Sequence, residues 1–299
     1  MSPNFIIAGG VATGTSFLSE ALKSHPDIYL PRIHRPEPNF FHYSWKYKKG
    51  YDWYLATWFT ESSNQCAVGE RSSLLLTSES SPERIANNLP DARLIFCLRN
   101  PFTRAWANYR FTVLEGLESL PFEDALRLEE ARMRSASGIW SEVQPHAYTF
   151  RSIYSSGIRR FQRYFRSDQI LYVKSESLSA NPQHELSRVC NFLGVESGYK
   201  LTLPPNFSAP SVLDMSLQSR LRQHFGNAFP DIVEMVRQDR LNSHPDLENS
   251  PELQSLRSNL TQRSMTIPQR AKEILEKSLK QEINEVEALT QIDCSDWMP

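Results

Sequence analysis

The sequence predicts an α/β protein with a central, mostly parallel sheet flanked by helices. Three short apolar runs carry that expectation: Phe5-Ile6-Ile7-Ala8, Leu94-Ile95-Phe96-Cys97-Leu98 and Ile170-Leu171-Tyr172-Val173. Each has the length of a buried strand, and each leads into a segment with apolar residues at helical spacing. Strands alternating with helices make crossover-linked parallel sheets, which bind ligands at the carboxyl ends of their strands.

The first run stops at Gly9-Gly10, and Phe17, Leu18, Ala21 and Leu22 then recur on one helical face until Ser24-His25-Pro26. The chain therefore opens strand, glycine loop, helix. The second run ends at Arg99-Asn100-Pro101, where a proline near the first turn starts a helix. The third passes through Lys174-Ser175-Glu176 into a helix carrying Leu186, Val189, Phe192 and Leu193, closed by Gly194. From about 204 to 251 the pattern weakens and Pro, Asn, Ser and Asp become frequent; one helix is expected there, near Leu217–Phe225. A last helix is expected from about Pro268 to Leu289, with Ile274, Leu275, Leu279, Ile283, Val286 and Leu289 on one face. The expected organisation is one domain over residues 1–299 with a variable insertion at about 200–255.

Composition narrows the function classes. A net charge of −1 over 299 residues argues against a generally basic nucleic-acid binder. No apolar run is long enough for a membrane span, and Met1-Ser2-Pro3-Asn4 enters a strand-like run without the features of a signal peptide. Cys66, Cys97, Cys190 and Cys294 lie far apart without metal-ligand spacing, so buried reduced thiols, a cytoplasmic location and no metal are expected. Between Arg93 and Arg166 stand twelve arginines, seven acidic residues and no lysine. Solvated helix faces account for most of them, but arginine is also the residue suited to bidentate oxyanion binding.

Gly9-Gly10-Val11-Ala12-Thr13-Gly14-Thr15-Ser16 lies between the first strand and helix. It has the glycine spacing of the nucleotide P-loop G-x-x-x-x-G-K-[ST], with Thr15 in place of the lysine. Such a loop turns successive N–H groups into one concavity, and the helix N-terminus adds about half a positive charge. Ala12, Thr13, Gly14, Thr15 and Ser16 are therefore candidates to hold a phosphate, with hydroxyls from Thr13, Thr15 and Ser16. A nucleoside triphosphatase would offer an aspartate after a neighbouring strand for Mg²⁺. Arg99 stands there instead, a cation suited to touching phosphate directly.

Four segments together resemble the sulfotransferases that use 3′-phosphoadenosine-5′-phosphosulfate (PAPS), in particular the heparan sulfate group and its bacterial relatives. Phe5–Leu18 is similar to the 5′-phosphosulfate loop. Glu37-Pro38-Asn39-Phe40-Phe41 is similar to E-P-H-F-F, and Gly69-Glu70-Arg71-Ser72-Ser73 to G-E-K-[ST]-P. Leu89–Tyr109 is similar to the 3′-phosphate strand and helix. Weaker likeness runs on through Tyr148–Tyr154, Gln169–Val195 and Ile292–Trp297. Two departures fall on the donor side: the family's loop lysine is Ala12 here, and the serine that touches the 3′-phosphate is Ala107, with Asn108 adjacent.

The resemblance implies a P-loop-like three-layer sandwich, PAPS as co-substrate, and sulfuryl transfer to a hydroxyl or amine of a saccharide or other small acceptor. It implies Glu37 as the catalytic base, with His34 as the second candidate. Arg99, Asn108 and Arg263 are implied on the nucleotide, the last together with Asn259 before the closing helix. Arg71, aligned with a family lysine near the acceptor, and Arg35 and Arg32 are candidates to replace the missing lysine or to grip an anionic acceptor. Arg104 is divided between phosphate contact and helix packing. Phe40, Phe41, Tyr109, Tyr148 and Tyr154 are expected in the core more than on a ligand. The insertion is expected to shape the acceptor side. Two alternatives are a nucleotide-binding relative impaired by the losses at Ala12 and Ala107, and a P-loop kinase-like enzyme.

Overall fold

The structure, a computed structural model, describes residues 1–32, 36–204, 209–237, 250–263 and 265–298. It divides into two compact units: Met1–Arg104, Arg151–Asn206 and Ser278–Pro299 form the first, and Ala105–Phe150 with Phe207–Lys277 the second.

The first unit holds a five-stranded sheet of β1 (Phe5–Gly9), β2 (Ile28–Tyr29), β3 (Ala67–Arg71), β4 (Arg93–Leu98) and β5 (Ile170–Lys174). The order is β2-β3-β1-β4-β5 and every pairing is parallel. The strands β1, β4 and β5 are the three apolar runs, continuous because both faces are covered. On one face, Leu18, Ala21 and Leu22 of the helix Thr15–Leu22 and Leu186, Val189 and Leu193 of the helix Pro182–Leu193 pack with Phe5, Ile7, Ile95 and Val173. On the other, the Phe96 ring meets Phe161 of the helix Ser155–Gln162 edge to face at 4.9 Å. Glu282, on the helix Gln269–Thr290, accepts from the Tyr154 and Ser155 amides and the Ser155 hydroxyl, each at 2.7 Å.

The strand β3 has no apolar run to announce it, because Gly69, Glu70 and Arg71 occupy three of its five positions. Gly69 is required by close packing: a Cβ there would stand 2.4 Å from the Phe5 ring. With β1 between β3 and β4, chain connections depart to opposite sides of β1. The carboxyl end of β1 is thus the switch point where such sheets bind ligands.

In the second unit, Leu114, Leu221, Phe229, Ile232, Leu253 and Leu256 form the core, beside an antiparallel pair of β6 (Ser211–Val212) and β7 (Leu260–Thr261). The single helix expected near Leu217–Phe225 is Met215–Phe225, and among the described residues two more follow, Phe229–Arg237 and Pro251–Asn259. Their prolines, Pro230 and Pro251, read as breaks in the sequence but sit in first turns, where an amide N–H has no helical partner to lose.

All four cysteines are free, as expected, but Cys66 is exposed; Cys97, Cys190 and Cys294 are buried. Cys66 lies in the turn before β3, outside any apolar pattern. Burial pushes the Cys97 thiol up to about 12 and the Cys190 thiol up to about 11. A thiol reagent at neutral pH is therefore expected to modify Cys66 alone in the native protein and all four cysteines after unfolding. A second thiol reacting at the native rate would contradict this burial. Among the described residues, no helix is long and apolar enough to cross a membrane.

Candidate functional site

The glycine loop leaves the carboxyl end of β1, and side chains fix its peptide orientations. Thr13 Oγ1 donates to the Gly10 carbonyl at 2.7 Å, Arg104 Nη1 to Val11 O at 3.3 Å and Arg99 Nη1 to Ala12 O at 3.2 Å. In a planar trans peptide the N–H points opposite to the C=O. Three consecutive carbonyls turned onto these donors therefore turn the Val11, Ala12 and Thr13 amides the other way. Ala12 is in the left-handed region at φ 68°, which costs a non-glycine residue roughly 1 kcal/mol. Gly14 at φ 88° starts the helix Thr15–Leu22, and no side chain caps its N-terminus. The first-turn amides of that helix have no intrahelical acceptor. This set of donors fits a phosphate or sulfate group without a lysine in the loop.

The hydroxyls divide differently from expectation. Thr13 is fully buried and committed to Gly10, so it builds the loop rather than offering a donor to a ligand. Ser16 Oγ receives a hydrogen bond from Arg71 Nη1 at 3.1 Å. Arg104 is fully buried, with Nε on Ser152 Oγ at 2.7 Å, so it braces the loop from within the core. Arg99 is also held by Thr103 Oγ1 on Nε at 3.0 Å, while its own carbonyl accepts from the Tyr154 hydroxyl at 2.9 Å. Burial raises the Tyr154 phenol far above its ordinary range, keeping it a donor there.

Glu37 follows β2. Its Oε2 accepts from the Ser73 amide and the Ser73 hydroxyl, both at 2.8 Å, and from Asn39 Nδ2 at 3.2 Å. Its Oε1 is paired with Arg71. Both side chains are largely enclosed, at 14% and 10% exposure for Glu37 and Arg71. Glu37, Pro38 and Arg71 line a cleft of about 20 Å³ with Ser19, Glu20 and Lys23 of the first helix, room for little more than a water molecule. One guanidinium at the end of β3 thus joins the hydroxyl at the helix start to the candidate base. The sequence pointed to Arg71 as the best of three arginines; it did not point to Ser73. In the family motif a proline stands at that position, and proline has no N–H to give.

The remaining candidates separate. Arg32 extends into solvent, 87% exposed, and pairs with Glu61 at 3.2 Å, so it does not replace the loop lysine. His34 and Arg35 lie outside the described residues. Asn108 and Arg263 belong to the second unit: Asn108 is buried, and Arg263 is exposed, its carbonyl accepting from Ser211 Oγ at 2.9 Å. Asn259, also in that unit, is a buried tie to the Asp214 backbone and the Gln218 amide. Phe40, Phe41, Tyr148 and Tyr154 are fully buried and Tyr109 nearly so, as core residues are. Among the described residues, no group of three or more His, Cys, Asp or Glu is placed to hold a metal.

The family model of the sulfotransferase domain matches residues 2–223. Heparan sulfate glucosamine 3-O-sulfotransferase 3B1 from Homo sapiens is 32% identical over 194 residues, 65% of this chain and 46% of that protein. The bifunctional heparan sulfate N-deacetylase/N-sulfotransferase 1 of Xenopus laevis is 29% identical over 251 residues, 77% of this chain and 27% of that protein. The chain thus spans about half the length, or less, of these curated relatives. A crystal structure of a sulfotransferase from Alicyclobacillus acidocaldarius has the same fold, with a TM-score of 0.71 at 23% identity over 99% of both chains. The matched region includes the glycine loop, Glu37, Arg71 and Arg99, and by that match the chain belongs to the sulfotransferase family.

Proposed function

We propose that the chain transfers a sulfuryl group from PAPS to a hydroxyl or amine of a saccharide acceptor. One observation carries this reading: Arg71 bridges Ser16, at the start of the loop helix, and Glu37. When bound, PAPS supplies an activated sulfuryl group on a phosphate that can leave. The loop amides and the helix N-terminus hold the anionic end of the donor. Arg71 brings a cation beside Ser16, in the role that the lysine missing at Ala12 would fill. Glu37 takes the acceptor proton at Oε1, because Oε2 is already engaged by three donors. For that, the guanidinium must turn from Glu37 toward the anion, so donor binding frees the base. Arg99 holds the 3′-phosphate from the carboxyl end of β4.

The deciding experiment is a radiolabelled-sulfate transfer assay against glycan acceptors, with donor binding followed in parallel by thermal shift. Stabilisation by adenosine 3′,5′-bisphosphate without Mg²⁺, together with label in the glycan, is the expected result. Stabilisation without transfer would indicate the impaired relative, and stabilisation only by a nucleoside triphosphate with Mg²⁺ the kinase-like enzyme.

Arg99→Ala is expected to weaken adenosine 3′,5′-bisphosphate about tenfold or more while changing adenosine 5′-phosphate little, since charge-assisted bonds contribute roughly 1.5–3 kcal/mol each. Calorimetric titration of both nucleotides checks this. Equal losses would mean that Arg99 acts only by holding the Ala12 carbonyl.

A further inference from the structure

Behind Glu37 lies a buried ionisable cluster that the transfer chemistry above does not use. Lys46, 7% exposed, donates from Nζ to Glu37 O at 3.0 Å and to Pro38 O at 2.5 Å. Both oxygens of Glu70, on β3, are fully buried without a hydrogen-bond partner of good geometry, and so is the Tyr54 hydroxyl. The groups facing Glu70 are Ser72 from its own strand end, Tyr51 and Tyr54 from the helix Tyr51–Trp58, Lys46 from the helix Ser44–Tyr47, and Glu37 itself. Lys49 adds a second cation acting on Lys46.

We propose that Lys46 and Glu70 are a positioning pair for the base: the ammonium fastens the Glu37–Pro38 backbone, and the buried carboxyl behind it decides whether that ammonium stays on the two carbonyls. The proposal rests on Glu37 being the base. An ionised carboxylate so weakly hydrogen-bonded in a sealed core is disfavoured, so Glu70 keeps its proton at neutral pH. Desolvation raises it to about 8, although Ser72, Tyr54 and Lys46 pull the other way. Desolvation also lowers Lys46 to about 8, opposed by the charges of Glu70 and Glu37. Below that range Lys46 is charged, Glu70 is neutral, and no second negative charge stands under Glu37. As pH rises through it, Glu70 ionises; its charge keeps Lys46 protonated but draws the ammonium away from the Glu37 and Pro38 carbonyls, and the fastening of the base loop weakens. Activity should therefore carry an alkaline limb that originates behind the base.

Lys46→Met is expected to lower kcat about 10- to 100-fold, because the base is no longer held in place, while KM for the donor changes little. Lys46→Arg should restore most of the loss. Glu70→Gln should keep most of the rate at neutral pH and abolish the alkaline limb, whose midpoint in the parent is expected near 8. Hydrogen exchange over residues 37–41 should quicken in Lys46→Met and recover in Lys46→Arg. Isotope-edited infrared spectra of the parent should contain a protonated glutamate carboxyl at neutral pH that is missing from Glu70→Gln. An alkaline limb that survives Glu70→Gln, or unchanged exchange in Lys46→Met, would overturn the pair. Exchange and infrared spectra require no turnover. Absence of transfer in the parent would therefore remove the sulfotransferase reading while these two measurements still decide the pair.

Discussion

Glu37→Gln is expected to lower the turnover rate by about 10²–10⁴, the usual contribution of a positioned general base. The donor should still bind within a few-fold of the parent, because it is held by the loop amides and Arg99 rather than by the carboxylate. Glutamine keeps the shape and an amide oxygen that can still accept from Ser73, so packing behind the site is preserved. It cannot take the acceptor's proton, and its amide nitrogen cannot pair with Arg71. Single-turnover kinetics with saturating donor, alongside a titration with adenosine 3′,5′-bisphosphate, separates the two effects. If donor binding falls as far as turnover, the Arg71–Glu37 pair is holding the loop together and the base lies elsewhere.

Arg71→Ala should reduce turnover by about 10²–10³, the effect of removing one preorganised donor from a developing anion. It should also weaken the donor, since Arg71 stands at Ser16 beside the helix start. The decisive arm is the double variant. If Arg71 occupies the role of the missing loop lysine, Ala12→Lys in the parent introduces a second cation beside the first and slows transfer. The same substitution in Arg71→Ala should recover part of the lost rate. Ala12 already adopts φ 68°, so a lysine there meets no backbone demand that alanine does not. Arg71→Lys should fall between the parent and Arg71→Ala: an ammonium retains the charge, but on a shorter side chain it does not place a donor where Arg71 Nη1 meets both Ser16 and Glu37. A parent and an Arg71→Ala variant that turn over equally would place the leaving-group cation elsewhere.

The strands β1, β4 and β5 were legible because full burial demands continuous apolar runs. The loop was legible because a turn at φ 88° requires glycine where Gly14 stands. The strand β3 was not legible as a strand. Its Gly69, Glu70 and Arg71 violate every local strand pattern, and each is explained only by a neighbour: the Phe5 ring over Gly69, the sealed cluster around Glu70, and the loop and base at Arg71. Thr13 shows the reverse error. A hydroxyl in a phosphate loop suggests a ligand donor, yet this one is spent on the Gly10 carbonyl. Glu37 was visible only through resemblance, since an isolated glutamate in a proline-containing loop has no periodicity to mark it.

By itself the sequence determined the local elements and the family motifs, because backbone propensity, burial period and turn geometry are set by near neighbours along the chain. The tertiary structure decided which motifs meet. Ser16 and Arg71 are 55 residues apart, Glu37 and Ser73 are 36 apart, and Ala12 and Arg99 are 87 apart. They converge because the order β2-β3-β1-β4 aligns the carboxyl ends of four parallel strands. That order arises from crossovers and packing on both faces of the sheet, which no window of sequence contains.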